Sequence, residues 1–245
     1  MKVVIVGAGI SGCAAYLAFK KHLPSQHEYI IYEAHDTLKT QQSEQTADGT
    51  HSATLLVGGR IGLGPNGLNV LKRLDEELFY DVVRAGYPYA VQQMKSSHGW
   101  NLMRLPTTGG SPPINSVSMS RHALWKCLRA RVPDDIIVQK RILQVIANPN
   151  GRIIIKFVDG SPDDEVDLVI GADGLKSTVK RALFPEATED PFPPHYEGVV
   201  GIGGLVDCDD FKDEIESGTM TLNFGGNGFF GYCFAEGRED VPNRH

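Results

Sequence analysis

The chain has 245 residues, 41% of them hydrophobic and 22% charged, long enough to bury a real core in one large domain or two small ones. A formal net charge of −6 argues against a nucleic-acid binder, because no basic excess is present to neutralise phosphates. No apolar run approaches the roughly 18 residues a membrane helix needs, and the cysteines Cys13, Cys127, Cys208 and Cys233 are scattered without disulfide or metal-ligand spacing. The start, MKVVIVGAG, lacks the long apolar stretch of a signal peptide, so the expected location is the cytoplasm, with no metal and no specific protein partner implied.

In chain order, residues 2–6 form a continuously apolar strand suited to the centre of a parallel sheet. Gly7, Gly9 and Gly12 come next at GxGxxG spacing. Gly7 permits a tight turn, Gly9 lets backbone N–H groups approach a pyrophosphate, and Gly12 lets the next helix pack on the strand. That helix, expected over residues 10–23, opens with small residues, presents its positive end to a phosphate and stops at Pro24. A second strand over 29–32 delivers Glu33 about twenty residues past Gly12, where the fingerprint places an acid for ribose hydroxyls. A glycine turn flanked this way points to a dinucleotide. The acid disfavours NADP, whose 2′-phosphate it would repel, and leaves NAD and FAD both open.

Residues 36–51 are polar and read as a surface loop. Residues 55–67 (LLVGGRIGLGPNG) are glycine-dense; Gly58, Gly59, Gly62 and Gly64 serve either close approach to a flat ligand or an irregular turn, and both readings stand. A helical period runs over 68–74, and an extended stretch over 89–105 turns near residues 97–99. The helix expected over 120–131 has Ser118 or Ser120 as its cap. Arg121 sits in its first turn, where the helix dipole disfavours a cation. It is either a harmless exposed arginine or a guanidinium reaching a cofactor phosphate. Strands over 136–139, 142–147 and 153–158 suggest a meander. A buried strand over 166–170 then ends in Gly171-Ala172-Asp173-Gly174, with Ser177 capping a helix over 178–184.

Taken together, the chain resembles the FAD-dependent monooxygenases of the aromatic-hydroxylase type, the family of salicylate hydroxylase and related fungal epoxidases. The resemblance is carried by GAGISG with Glu33, GGRIGLGPNG, the helix-opening Arg121, DLVIGADGLKSTVK and TLNFGGNGFFGYCFAEG, and spans nearly all of the chain. It implies an α/β fold in which a Rossmann-like FAD-binding domain (residues 1–80 and 116–190) is interleaved with a partial β-sheet substrate domain (81–115 and 191–245). FAD would be the cofactor and NAD(P)H its transient reductant. An oxygen atom from O2 would pass through a flavin C4a-hydroperoxide to an aromatic or polycyclic small molecule.

By the same resemblance Gly7, Ala8, Gly9 and Gly12 would hold the pyrophosphate and Glu33 the adenosine ribose. Arg121 would contact FAD, and Asp173 with Gly174 would serve FAD and NAD(P)H. No catalytic acid or base is assigned; His51, Arg60, His98 and His195 read as surface or packing residues. The family's third flavin motif, a Gly-Asp followed by Ala-His and a Pro-rich glycine turn, has no match after Gly204. The expectation is therefore a shortened chain that binds FAD weakly or not at all. The alternatives are an inactive FAD-binding fragment and another FAD oxidoreductase of halogenase or reductase type.

Overall fold

A computed structural model describes residues 1–23, 26–35, 59–109, 113–148, 151–207, 209–210 and 212–235. Pro24, the polar loop at 36–51, the start of the glycine-dense segment, Cys208 and the tail after residue 235 lie outside the described residues. The first half of the chain runs β1 (Lys2–Val6), α1 (Ile10–His22), β2 (Glu28–Glu33), β3 (Arg60–Leu63), α2 (Pro65–Leu74) and α3 (Glu76–Ala85). Next come β4 (Tyr87–Tyr89), β5 (Val91–Ser96), β6 (Asn101–Pro106), β7 (Ser116–Ser120) and α4 (Arg121–Arg129). The remainder is β8 (Ile137–Gln139), β9 (Ile142–Ile146), β10 (Ile153–Phe157), β11 (Asp164–Val166), β12 (Leu168–Gly171), α5 (Thr178–Ala182), β13 (Thr219–Gly225) and β14 (Gly228–Tyr232). This is the mixed α/β architecture expected. It falls into two compact units.

The first unit joins Met1–Thr50 to Leu128–Gly201. Its parallel sheet has the order β12-β1-β2-β8. With parallel neighbours on both sides, β1 is interior, and its Val3, Val4, Ile5 and Val6 are buried as such a position requires. Against the sheet lies an antiparallel meander, β11-β10-β9. Val4, Val6 and Tyr32 from the sheet and Ile142, Val145, Ile155, Phe157 and Val166 from the meander make one apolar cluster. Tyr32 and Phe157 meet edge to face at 4.9 Å. The Tyr32 hydroxyl donates to Asp164 Oδ2 at 2.8 Å, and the Lys2 ammonium pairs with the same carboxylate. Burial first, and the Asp164 hydrogen bond second, hold the Tyr32 phenol well above its usual titration range.

Two elements depart from expectation. Residues 137–139, expected as part of the meander, instead pair in parallel with β2 (Ile31 with Ile137, Glu33 with Gln139) and extend the dinucleotide sheet. The single strand expected over 166–170 is broken at Asp167, so that Val166 ends the meander and Leu168 begins the parallel strand. Asp167 Oδ2 accepts the Lys2 N–H at 2.7 Å, fixing that corner to the first strand.

The second unit joins His51–Cys127 to Ile202–His245. It holds a three-stranded antiparallel sheet, β3-β7-β4, and a four-stranded sheet, β14-β13-β5-β6, in which β13 runs parallel to β5. The hairpin between β5 and β6 turns through Gly99 at φ +82°, as its sequence suggested. Ser120 caps α4, accepting the Ala123 N–H at 3.0 Å. Helix α3 is an addition to the sequence reading. Its cap is Asp75, whose Oδ1 accepts from the Glu77 and Leu78 N–H groups at 2.8 and 3.1 Å, and it buries Leu78, Phe79 and Val82. Among the described residues no helix is long and apolar enough to cross a membrane.

Ile155 is fully buried at the centre of the first unit's core. Ile155→Ala is expected to lower stability by roughly 2–4 kcal/mol. Denaturant unfolding followed by circular dichroism checks this; a loss below about 1 kcal/mol would mean the meander is not seated on the sheet as described.

Candidate functional site

The candidate site is built where β1, β2 and β12 end. After Val6 the chain must reverse into α1 within a few residues, and Gly7 does so at φ +101°, a conformation that disfavours any side chain. A Cβ at Gly7 would lie 2.5 Å from the Ala172 carbonyl oxygen, and one at Gly12 only 1.8 Å from the Gly7 carbonyl oxygen. The two glycine-rich turns therefore touch backbone to backbone. The Gly7 N–H donates to the Tyr32 carbonyl at 2.8 Å and the Ala172 N–H to the Val6 carbonyl at 2.9 Å, which closes three strand ends into one rim.

Helix α1 rises from that rim. Gly9 is its N-cap, no side chain caps it, and no acid lies in its first turn. Its leading N–H groups are thus left to a ligand or to water, at the positive end of the helix dipole. Glu33, at the end of β2, faces the same turn: Oε2 accepts the Ala8 N–H at 2.7 Å and Oε1 the His35 N–H at 2.9 Å. Each oxygen keeps a lone pair for a further donor. Below the turn, the buried Cys13 thiol donates to the Ala8 carbonyl at 3.4 Å, and burial pushes its pKa up to about 11.

Asp173 is placed differently from Glu33. Its Oδ2 accepts from the Thr178 and Val179 N–H groups at 2.6 and 3.2 Å, and its Oδ1 accepts the Ser177 hydroxyl at 2.6 Å. Ser177 in turn accepts the Lys180 N–H at 2.9 Å, so it caps α5 as expected. Gly174, at φ +77°, completes the turn. Seven of the eight sequence-predicted residues (Gly7, Ala8, Gly9, Gly12, Glu33, Asp173 and Gly174) thus share the first unit. Arg121 belongs to the second unit, exposed at the start of α4, with its backbone N–H donating to the Gly59 carbonyl at 3.2 Å. Sequence reasoning passed over Ala172, whose carbonyl presses on Gly7. The signal was the glycine at position 7 itself.

The fold is shared with solved flavin hydroxylases, salicylate hydroxylase among them at a TM-score of 0.59 and 20% identity, covering 81% of this chain and 42% of that one. Among solved structures, the chain superposes on the Klebsiella pneumoniae HpxO complexed with FAD and uric acid with a TM-score of 0.64, covering 97% of this chain and 54% of that one at 21% identity. No family model matches. In sequence the chain is similar to FAD-dependent monooxygenases and hydroxylases. It is 28% identical over 191 residues to a 2-heptyl-3-hydroxy-4(1H)-quinolone synthase of Pseudomonas aeruginosa, covering 77% of this chain and 44% of the relative. It is 25% identical over 209 residues to a salicylate hydroxylase of Pseudomonas putida, covering 84% and 43%. The chain therefore spans less than half the length of these curated relatives.

Two outcomes test this geometry. Gly12→Ala, whose methyl would collide with the Gly7 carbonyl, is expected to cost roughly 3 kcal/mol or more in stability, read as a fall in the denaturant midpoint; an unchanged midpoint would refute the contact. For Cys13, a pKa of about 11 leaves about one thiol in a thousand ionised at pH 8. Iodoacetamide is expected to label it only after unfolding, and peptide mass spectrometry of native protein showing rapid labelling would contradict its burial.

Proposed function

We propose that this chain carries the FAD-binding portion, and part of the substrate-binding portion, of an FAD-dependent monooxygenase acting on an aromatic or polycyclic small molecule. The observation that carries this reading is the Ala8–Glu33 hydrogen bond. It holds the glycine turn and the ribose-seeking acid at adjacent strand ends, beside a helix N-terminus that no described side chain caps. A dinucleotide needs these three parts together: donors for its pyrophosphate, acceptors for its ribose, and a backbone free of side chains between them.

The residues present fit the cofactor. The turn of Gly7, Ala8, Gly9 and Gly12 would hold the pyrophosphate by bringing it against the leading N–H groups of α1, and Glu33 would accept from the ribose hydroxyls. Asp173 and Gly174 would act by holding the 171–174 turn against Gly7, with Asp173 anchored on its own helix. Arg121 would supply a cation toward FAD. When bound, FAD reduced by NAD(P)H supplies the activation of O2 and the transfer of one oxygen atom to the substrate. The protein's part is to bind, orient and keep water out. The division of the chain into a flavin domain (1–80 and 116–190) and a substrate domain (81–115 and 191–245), and a cytoplasmic location, belong to the same proposal.

Flavin fluorescence quenching and NAD(P)H oxidation with candidate aromatic substrates test this reading. FAD is expected to bind weakly. Glu33→Ala, which removes a charged acceptor, is expected to weaken FAD roughly ten- to a hundred-fold. Failure of FAD to bind at all would sink the proposal. Binding without substrate-dependent NAD(P)H oxidation would favour an inactive FAD-binding fragment, and NAD(P)H oxidation without oxygen transfer would favour a different flavin oxidoreductase.

A further inference from the structure

The second unit contains a cation that no described residue neutralises. Arg60 opens β3, and its partners place it on a face shared with Gly62, Ser116, Ser118, Tyr87 and Tyr89, because paired and alternate strand positions point the same way. Its guanidinium is half-buried. Nε donates to Ser118 Oγ at 2.6 Å, and Nη2 reaches the Met220 sulfur at 3.3 Å. Ser118 is itself fully buried, and its hydroxyl meets Cys233 Sγ at 3.1 Å, so the guanidinium plane is held in place. Among the described residues no carboxylate pairs with Arg60. A thioether is a weak acceptor, and a cation withdrawn from water without an anion is unfavourable.

A second donor converges on the same spot. Tyr89 is 7% exposed, and its hydroxyl has no hydrogen-bond partner among the described residues. A Cβ on Gly62 would lie 3.2 Å from Tyr89 Oη and 3.7 Å from Arg60 Nη2, so both groups border the space the missing side chain leaves. The surroundings are aromatic and apolar: the Tyr87 and Phe234 rings lie 5.1 Å apart with their planes tilted by 49°, and the Met220 thioether is beside the guanidinium.

We propose that Arg60 and Tyr89 form an oxyanion site in the second unit, which takes the carboxylate or ionised phenol of a planar organic acid. The guanidinium engages the anion through its free N–H groups and the Tyr89 hydroxyl donates to the same or the neighbouring oxygen. Ser118 is a positioning residue for Arg60. This names the substrate class of the monooxygenase reading and rests on it for the role of the site in turnover.

Calorimetric titration of the full chain with 2-naphthoate, and with neutral 2-naphthamide as its isostere, tests the site. The acid is expected to bind about ten-fold more tightly or better, with the advantage shrinking as ionic strength rises. Arg60→Gln should erase the preference, Arg60→Lys should keep part of it, and Tyr89→Phe should reduce it severalfold. ADP affinity should be unchanged in all three. Absence of any preference in the unaltered chain overturns the proposal without reliance on a variant. Loss of ADP or FAD affinity in Arg60→Gln with naphthoate unaffected also overturns it, since the anion bound would be the cofactor's phosphate. A retained acid preference in a chain that fails to bind FAD upholds the oxyanion site and sinks the monooxygenase reading alone.

Discussion

The first unit depends on one close approach, that of the 171–174 turn to the 7–12 turn. With the Ala172 carbonyl 2.5 Å from where a Gly7 Cβ would stand, and the Gly7 carbonyl 1.8 Å from a Gly12 Cβ, no side chain fits at either position. That contact lets β12 lie beside β1 and α1 lie on both, and it leaves the N-terminus of α1 open at the rim where three strands end. The hydrophobic cluster of sheet and meander stabilises the unit. The glycine contact decides how its functional edge is shaped, because backbone meeting backbone has no rotamer with which to adjust.

Two acids at that rim do different work for a reason visible in their hydrogen bonds. Asp173 sits just before a short helix and takes up three donors from it, which fixes the turn and engages both oxygens. Glu33 sits at the end of a strand, takes one backbone N–H on each oxygen, and retains acceptor capacity outward. Residue type alone does not separate these roles. The separation comes from the backbone just C-terminal to each acid: a helix N-terminus crowded with unpaired N–H groups after Asp173, and only His35 after Glu33.

Much of this was legible in the chain because the determinants are local. A GxGxxG turn after an apolar run needs few residues to declare itself, the small residues that follow it mark out α1, and turn chemistry marks the 97–99 hairpin. The parts that were not legible depended on distant partners. Ile137–Gln139 looks like any short apolar strand; only the vacant edge of β2 draws it into the parallel sheet. The break at Asp167 is set by the Lys2 N–H, 165 positions away. Helix α3 did carry a local signal, the N-cap acid Asp75 followed by the acidic first turn of Glu76 and Glu77. Arg60 and Tyr89 read as unremarkable singly, since their convergence over Gly62 exists only once β3 and β4 have paired with β7.

The glycines themselves separate architecture from ligand recognition. Gly7, Gly12 and Gly86 would each drive a Cβ to within 2.5 Å of a neighbouring atom, so packing alone accounts for them. Gly174 has a positive φ, so the turn accounts for it. Gly9 has neither justification: its φ of −72° suits any residue, and nothing lies within 4 Å of a Cβ built there. The folded chain would accept a side chain at that position. A side chain at Gly9 would instead obstruct the space directly before the uncapped N–H groups of α1, where a pyrophosphate would have to lie. Gly9 is thus the residue in the turn whose identity the fold leaves unexplained and a dinucleotide explains.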